Sequence, residues 1–217
     1  MDDVYSNFDL VLKAFWLTIQ LAVLSGIVSM VLGTVLAAMR VGPVRVLQIA
    51  ASTYVTLVRN TPLLLVCVFI FFAAPNLGLL VGTPFLVKGV IAVSFYTSAF
   101  VAEALRSGIN AVSLGQAEAA RAIGMTFGQN MRFVVLPQAF RAAVPPLAST
   151  LIAMTKNTSV VAVFGLLEAT ARMRYFVNRN GDDTLAIFAV FAIGYIVLVE
   201  LISLVAVTFE RRWRVAR

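Results

Sequence analysis

Apolar runs long enough to cross a bilayer, separated by short polar connections, set the pattern of this chain. A spanning helix needs about 20 mostly apolar residues, and five windows supply them: Val11 to Met39, Ala51 to Ala74, Phe85 to Leu105, Pro146 to Leu167, and Thr184 to Phe209. The pattern predicts an all-α membrane protein with five transmembrane helices. Two windows carry polar interruptions, Arg59-Asn60-Thr61-Pro62 in the second and Lys156-Asn157-Thr158-Ser159 near the middle of the fourth. Broken or polar turns at membrane depth are tolerated where they line a protein-enclosed path. Arg59, Asn60, Thr61, Lys156, Asn157, Thr158 and Ser159 are therefore the candidates for a translocation path or substrate contacts. Simpler roles stand beside that one. Arg59 could snorkel to the membrane surface, Lys156 could serve a structural ion pair, and Thr158 and Ser159 could bond to their own helix backbone.

The connections alternate in charge. Asp2, Asp3 and Asp9 precede the first window without a base, whereas Arg40 and Arg45 follow it without an acid. The turn from Pro75 to Pro84 is uncharged, and the segment 106–141 sets Arg106, Arg121, Arg132 and Arg141 against Glu118. Between Glu168 and Asp183, Arg172, Arg174 and Arg179 are balanced by Glu168, Asp182 and Asp183; the tail carries Arg211, Arg212, Arg214 and Arg217 against Glu210. Basic-rich connections belong in the cytoplasm. Five spans with the N-terminus outside put the first turn, the middle segment and the C-terminus inside. The acidic start lacks the basic region of a secretory signal peptide, so the first window is expected to remain as a span.

Composition narrows the function. Of 217 residues, 61% are hydrophobic and 12% charged, against roughly 45–50% and 25% in soluble domains, so lipid must be the solvent. Histidine is absent and the single cysteine, Cys67, lies in the apolar run from Leu63 to Phe72. The commonest metal ligand and general base is thus missing, and no disulfide can form within the chain. The net charge of +7 is spread between apolar segments rather than gathered as the patch a nucleic acid would need. With no metal or catalytic cluster and no cofactor site, an enzyme reading has little to work with; passage or scaffolding inside a bilayer remains. Two acids stand in the windows. Glu103 has Arg106 at the i,i+3 spacing that lets side chains pair, and Glu200 is either a partner for a cation or a helix-to-helix contact.

The middle segment is the most informative connection. A structureless loop of this length would be unusual, and Ala117, Ala119, Ala120 and Ala122 are strong helix formers followed by Gly124 and Gly128 as punctuation. Leu136-Pro137 is expected to end the stretch, because proline removes a donor and restricts the residue before it. One or two short helices along the cytoplasmic face are predicted, placed to touch something soluble.

Glu118-Ala119-Ala120-Arg121-Ala122-Ile123-Gly124, then nine residues, then Val134-Val135-Leu136-Pro137, resembles the cytoplasmic loop signature of permease subunits in binding-protein-dependent ABC importers. That signature reads Glu-Ala-Ala, three residues, Gly, nine residues, Ile, one residue, Leu-Pro, and Val134 is the one departure. The resemblance extends over nearly the whole chain. Arg59-Asn60-Thr61-Pro62-Leu63, Lys156-Asn157-Thr158-Ser159-Val160 and Ala102-Glu103 through Ile109 are similar to stretches of the polar amino-acid branch. Within it the chain is most like actinobacterial glutamate-uptake permeases, through Ser107-Gly108-Ile109-Asn110 and Gly115 to Arg121.

The resemblance implies the type I importer fold and a single permease domain, 1–217, with a coupling segment at 106–141. It implies a place in a bacterial plasma membrane beside a second permease subunit, expected to be a distinct paralogue, and two ATPases. An extracytoplasmic solute-binding protein completes the set. ATP and Mg are expected on the ATPases, since this chain has no glycine-rich phosphate loop ending in Gly-Lys-Ser/Thr. Ala117, Glu118, Ala119, Ala120, Arg121, Gly124, Leu136 and Pro137 would couple to the ATPase. The expected cargo is a polar amino acid, glutamate first, with glutamine or aspartate as alternatives and a non-transporting scaffold as the reading from another class.

Overall fold

The computed structural model describes residues 1–213. A short helix α1 (Asp2–Ser6) leads into α2 (Phe8–Val41), which stays helical for 34 residues because nothing in it breaks the apolar run, and stops at Gly42. Next come α3 (Arg45–Arg59) and α4 (Leu63–Asn76), then α5 (Phe85–Asn110), α6 (Leu114–Ala122) and the short α7 (Phe127–Asn130). The long α8 (Leu136–Asn157), α9 (Ala169–Arg179) and α10 (Thr184–Trp213) complete the described chain.

Five spans result when α3 and α4 are counted as one, and that span is sharply broken. The two helices meet at an angle of 102° across Asn60, Thr61 and Pro62. Pro62 sits at ψ 136°, an extended conformation, and has no N–H to continue the ladder of α3. The α3 half is amphipathic, burying Ala51, Val55 and Val58 at i, i+4 and i+7.

The fourth span departs from the sequence expectation at both ends. Leu136-Pro137 does not end the middle segment; it opens α8, and the window from Pro146 begins well inside a helix that contains Pro145 and Pro146. Pro137 lies in the first turn, where a missing N–H costs little. The π turn Met131–Val135, closed by the Leu136 N–H on the Met131 carbonyl, joins α7 to α8 without a break. Gly128, expected to punctuate, is inside α7. At the other end the α-helix stops at Asn157 and tightens to a 3-10 helix over Thr158–Phe164, terminated by Gly165 at φ 92°. Lys156 to Ser159 therefore mark a change of helix type rather than the interior of a continuous span.

The bundle is held by close approach of α2, α5 and α8. A Cβ on Gly33 would lie 2.5 Å from Val101, and one on Gly108 would meet the Ala139 carbonyl oxygen and lie 2.7 Å from the Ala143 Cβ. Small residues at such crossings let backbones approach where lipid gives no hydrophobic drive between helices. Cys67 is buried in the main core with Leu21, Phe71, Val93 and Val161. By contrast α10 is mostly exposed, Ile193, Ile196, Leu201 and Leu204 among its outward residues. Glu200 is exposed on it as well. Arg214 and Arg217 of the basic tail lie outside the described residues, and so do the side chains of Glu210, Arg211 and Arg212.

Candidate functional site

A cavity of about 360 Å³ lies between α5 and α8, beside the change of helix type at Asn157. Tyr96, Thr97 and Phe100 line it from α5, and Ser149, Thr150, Ala153, Met154 and Asn157 from α8. The level is mid-bundle: Met154 of the same turn touches the Cβ position of Gly26, midway along α2. Of the sequence candidates, Asn157 lines the cavity and Arg59 reaches its wall, its guanidinium carbon 5.7 Å from the centre of the Phe100 ring. Phe100 in turn packs on Tyr96, ring centres 5.0 Å apart.

The other candidates are arranged around this pair. Lys156 is exposed. Thr158 is buried and donates to the Thr155 carbonyl at 2.7 Å, and Ser159 donates to the Lys156 carbonyl at 2.7 Å, so both hydroxyls are engaged by their own helix. Thr61 does the same to Leu57 at 2.9 Å, and Asn60 is exposed at the corner of the broken span.

Below the cavity, three arginines converge on one carboxylate. Arg40 donates to Glu103 Oε2 at 2.6 Å and Arg106 to Oε1 at 2.7 Å, while Arg59 stands off at 3.5 Å. The pairing of Glu103 with Arg106 was legible from their spacing. Arg40 was not, since it arrives from another helix 63 positions away.

At the opposite end Glu168 is fully buried, and among the described residues it has no ion-pair partner. Its carboxylate accepts from Tyr195 at 2.7 Å, Thr18 at 3.2 Å and the Ala171 N–H at 3.0 Å, capping α9 while joining α2 and α10 to it. The sequence balance of Arg172, Arg174 and Arg179 against Glu168, Asp182 and Asp183 takes a different form here. Arg179 pairs with Asp3 at 3.3 Å, and Asp183 with the terminal amine of Met1.

The segment between α5 and α8 is built from its own hydrogen bonds. The Met125 N–H bonds back to the Ala120 carbonyl and the Gly124 N–H to Arg121, with Gly124 at φ 84°. That is the paired closure of a helix C-terminus on a left-handed residue, the conformation glycine adopts without steric cost. Thr126 and Gln129 then form a reciprocal capping box for α7. Asn130, buried and passed over in the sequence, donates to the Ala117 carbonyl at 2.9 Å and fastens α6 to α7. Ala120 is buried against this scaffold, while Glu118, Ala119 and Arg121 are exposed and Ala117 is half-buried. Among the described residues Glu118 and Arg121 form no ion pair with each other. Ile123, Phe127 and Phe133 expose 77%, 60% and 62% of their surface near the glycine closure of α6. Leu136 and Pro137 line a separate apolar groove of about 810 Å³ with Met30, Thr34 and Ile109.

Among the described residues no cluster of three or more His, Cys, Asp or Glu could hold a metal. The Cys67 thiol is buried in the core.

Residues 14–215 match the family described as binding-protein-dependent transport system inner membrane component. The chain is 48% identical over 197 residues to the glutamate transport system permease protein GluC of Corynebacterium efficiens, covering 86% of each. It is 46% identical over the same length to GluC of Corynebacterium glutamicum, again covering 86% of each. Among solved structures it resembles an amino acid ABC transporter crystallised with histidines, with a TM-score of 0.88, 30% identity and 97% of both chains covered. With the broken five-span fold and the glycine-terminated loop helix, these matches show that the chain belongs to the binding-protein-dependent transport system inner membrane component family, as a non-catalytic permease subunit of a type I ABC importer.

Proposed function

We propose that this amino-acid permease subunit passes glutamate across a bacterial plasma membrane. The observation that carries the reading is the cavity beside the end of α8, with the polar residues Asn157, Thr97, Ser149 and Thr150 in its lining and Arg59 against its Phe100 wall. A zwitterionic solute leaving water needs partners for its ammonium and carboxylates, because unsatisfied polar groups in a dry passage cost several kcal/mol. The hydroxyls and the amide donate and accept; Arg59 and Lys156 meet carboxylates. Asn60, Thr61, Thr158 and Ser159 border the same path, the last three keeping their backbone bonds. Relatives described as glutamate transport permeases favour glutamate over glutamine or aspartate.

In this reading the chain is a single domain, 1–217, whose N-terminus is outside and whose Arg40 end and C-terminus are cytoplasmic, as the basic connections suggest. Segment 106–141 couples it to two ATPase subunits, which bind ATP and Mg. Ala117 to Gly124 seats in an ATPase groove: the alanines permit close approach, Glu118 and Arg121 offer polar contacts, and the exposed Ile123, Phe127 and Phe133 are covered. Movement of α6 passes through Asn130 to α7 and on to α8, beginning at Leu136 and Pro137. The far third of α8 lines the cavity, so one continuous helix links motor to path. A distinct second permease and an extracytoplasmic solute-binding protein complete the importer.

The test is isotope-labelled uptake into proteoliposomes carrying the copurified complex, with glutamine, aspartate and arginine as competitors. Asn157→Leu should cut glutamate uptake at least tenfold. Normal uptake in that variant, or arginine competing as well as glutamate, rejects the cavity and the cargo respectively.

A further inference from the structure

Among the described residues Glu103 is the one carboxylate within 4 Å of three guanidinium groups, and it does not hold them equally. Arg40, 13% exposed, and Arg106 bind it through short charge-assisted bonds of 2.6 and 2.7 Å. Arg59 is 43% exposed, keeps 3.5 Å from Oε2 and forms no hydrogen bond to it. Arg59 also sits at the end of α3, at the 102° corner where only Asn60, Thr61 and Pro62 join it to α4. Its guanidinium lies over Phe100, whose ring lines the cavity. The most weakly held cation of the cluster is thus the one at the cavity wall.

A lone guanidinium beside a low-dielectric passage would bind a carboxylate strongly and let it go slowly, because Coulomb attraction rises as water is excluded. Conduction requires binding weak enough to leave. A resident carboxylate near the same guanidinium meets that need by competing for it. Arg40 and Arg106 keep Glu103 in place whether or not Arg59 is paired, so the acid is a fixed post to which Arg59 returns.

We propose that Glu103 is a positioning residue that sets release of anionic cargo: Arg59 leaves Glu103 to meet the side-chain carboxylate of an acidic amino acid in the cavity, then returns to Glu103 as the cargo departs. No bond is made or broken; two carboxylates exchange on one guanidinium. The inference rests on the cavity reading above and adds a charge-selective step to it.

The experiment compares glutamate and glutamine in proteoliposomes holding the whole complex, measuring uptake rate and ATP hydrolysed per solute moved. Glu103→Gln removes the competitor and should slow glutamate about tenfold, raise ATP consumed per glutamate, and change glutamine less than threefold. Glu103→Asp, which keeps the charge, should recover most of the glutamate rate. Arg40→Gln/Glu103→Gln guards against misfolding among uncompensated arginines, since it removes one charge of each sign, and should show the same selective loss. Arg59→Gln should abolish the glutamate-to-glutamine difference, and adding Glu103→Gln to it should change nothing further. Equal slowing of both solutes, or no change in their ratio, overturns the proposal. If Asn157→Leu impairs uptake while those ratios stay flat, this inference fails and the cavity reading stands; if Asn157→Leu is normal, both fail.

Discussion

The phenol of Tyr195 donates to the Glu168 carboxylate at 2.7 Å, tying α10 to an acid that has no exposure to solvent and, among the described residues, no ion-pair partner. Thr18 of α2 and the Ala171 N–H of α9 complete the node. A carboxyl group is tolerated in the interior when hydrogen bonds replace its water. Glu168→Ala should therefore remove the bond that joins α10 to α9 and the cap of α9, leaving Thr18 on the Ala14 carbonyl and Tyr195 on Thr170, and lower stability by about 2–3 kcal/mol. Glu168→Gln keeps an acceptor and the side-chain shape and should cost about 1 kcal/mol. Thermal unfolding of the purified complex checks the order, and equal melting points for the two variants would reject it.

Gly124 closes α6 at φ 84°. A β-branched residue there is strained by roughly 1–2 kcal/mol and redirects the chain toward α7. Gly124→Val should insert normally in the membrane, yet lose substrate-stimulated ATP hydrolysis. Wild-type stimulation in that variant removes the coupling assignment.

Asn130 fastens α6 to α7 through the Ala117 carbonyl. Asn130→Leu should reduce transport per ATP severalfold while glutamate occupancy of the cavity is unchanged, since the lever slackens but the path is intact. Crosslinking α6 to the ATPase in the same variant should still succeed; its failure would mean a docking defect instead.

Any side chain at Gly108 meets the Ala139 carbonyl oxygen and Ala143. Overpacking of this kind typically costs about 1–3 kcal/mol. Gly108→Val should lower the melting temperature of the complex, and Gly115→Val, with open space at its Cβ position, should leave it unchanged. The reverse order would contradict the close approach of α5 and α8.

Where α1 meets the end of α9, the hydrogen bond from Asn180 holds the Asp3 carboxyl below the usual carboxylate range against the opposing effect of desolvation, with Arg179 and Asn7 adding to it. A depressed value means the contact is worth most above the unfolded-state pKa and fades as pH falls through the folded one. Amide protection in Asp2–Ser6, relative to the intrinsic exchange rate at each pH, should fall below about pH 4 and be steady from pH 5 to 8. Equal protection at pH 3 and pH 7 would count against this tether.

The extent of the fold that was legible follows from what each feature depends on. Span number comes from a requirement each segment meets alone, enough apolar length to cross hydrocarbon, and the end of α6 from one glycine and its own backbone bonds. Pro137 was misread because proline's effect depends on its place in the turn, and the π turn before it depends on how α7 packs. At Lys156 to Ser159 the polar interruption was legible, but a polar stretch does not specify whether a helix continues, bends or tightens, so the change from α to 3-10 geometry was not. Tyr96 and Phe100 were passed over because aromatic residues at i,i+4 on an apolar helix are ordinary core; facing Asn157 is what sets them apart.

By itself, then, the order of residues determined solvent, span length, charge alternation and the glycine-closed loop helix, all properties of short stretches of chain. The tertiary structure decided which groups share a site: Asn157 and Thr97 around one cavity, Arg59 over Phe100, Arg40 on Glu103, Tyr195 on Glu168. Those encounters depend on helix rotation and on close crossings such as Gly33 against Val101. Such terms are set by packing between distant segments, and no local pattern of residues carries them.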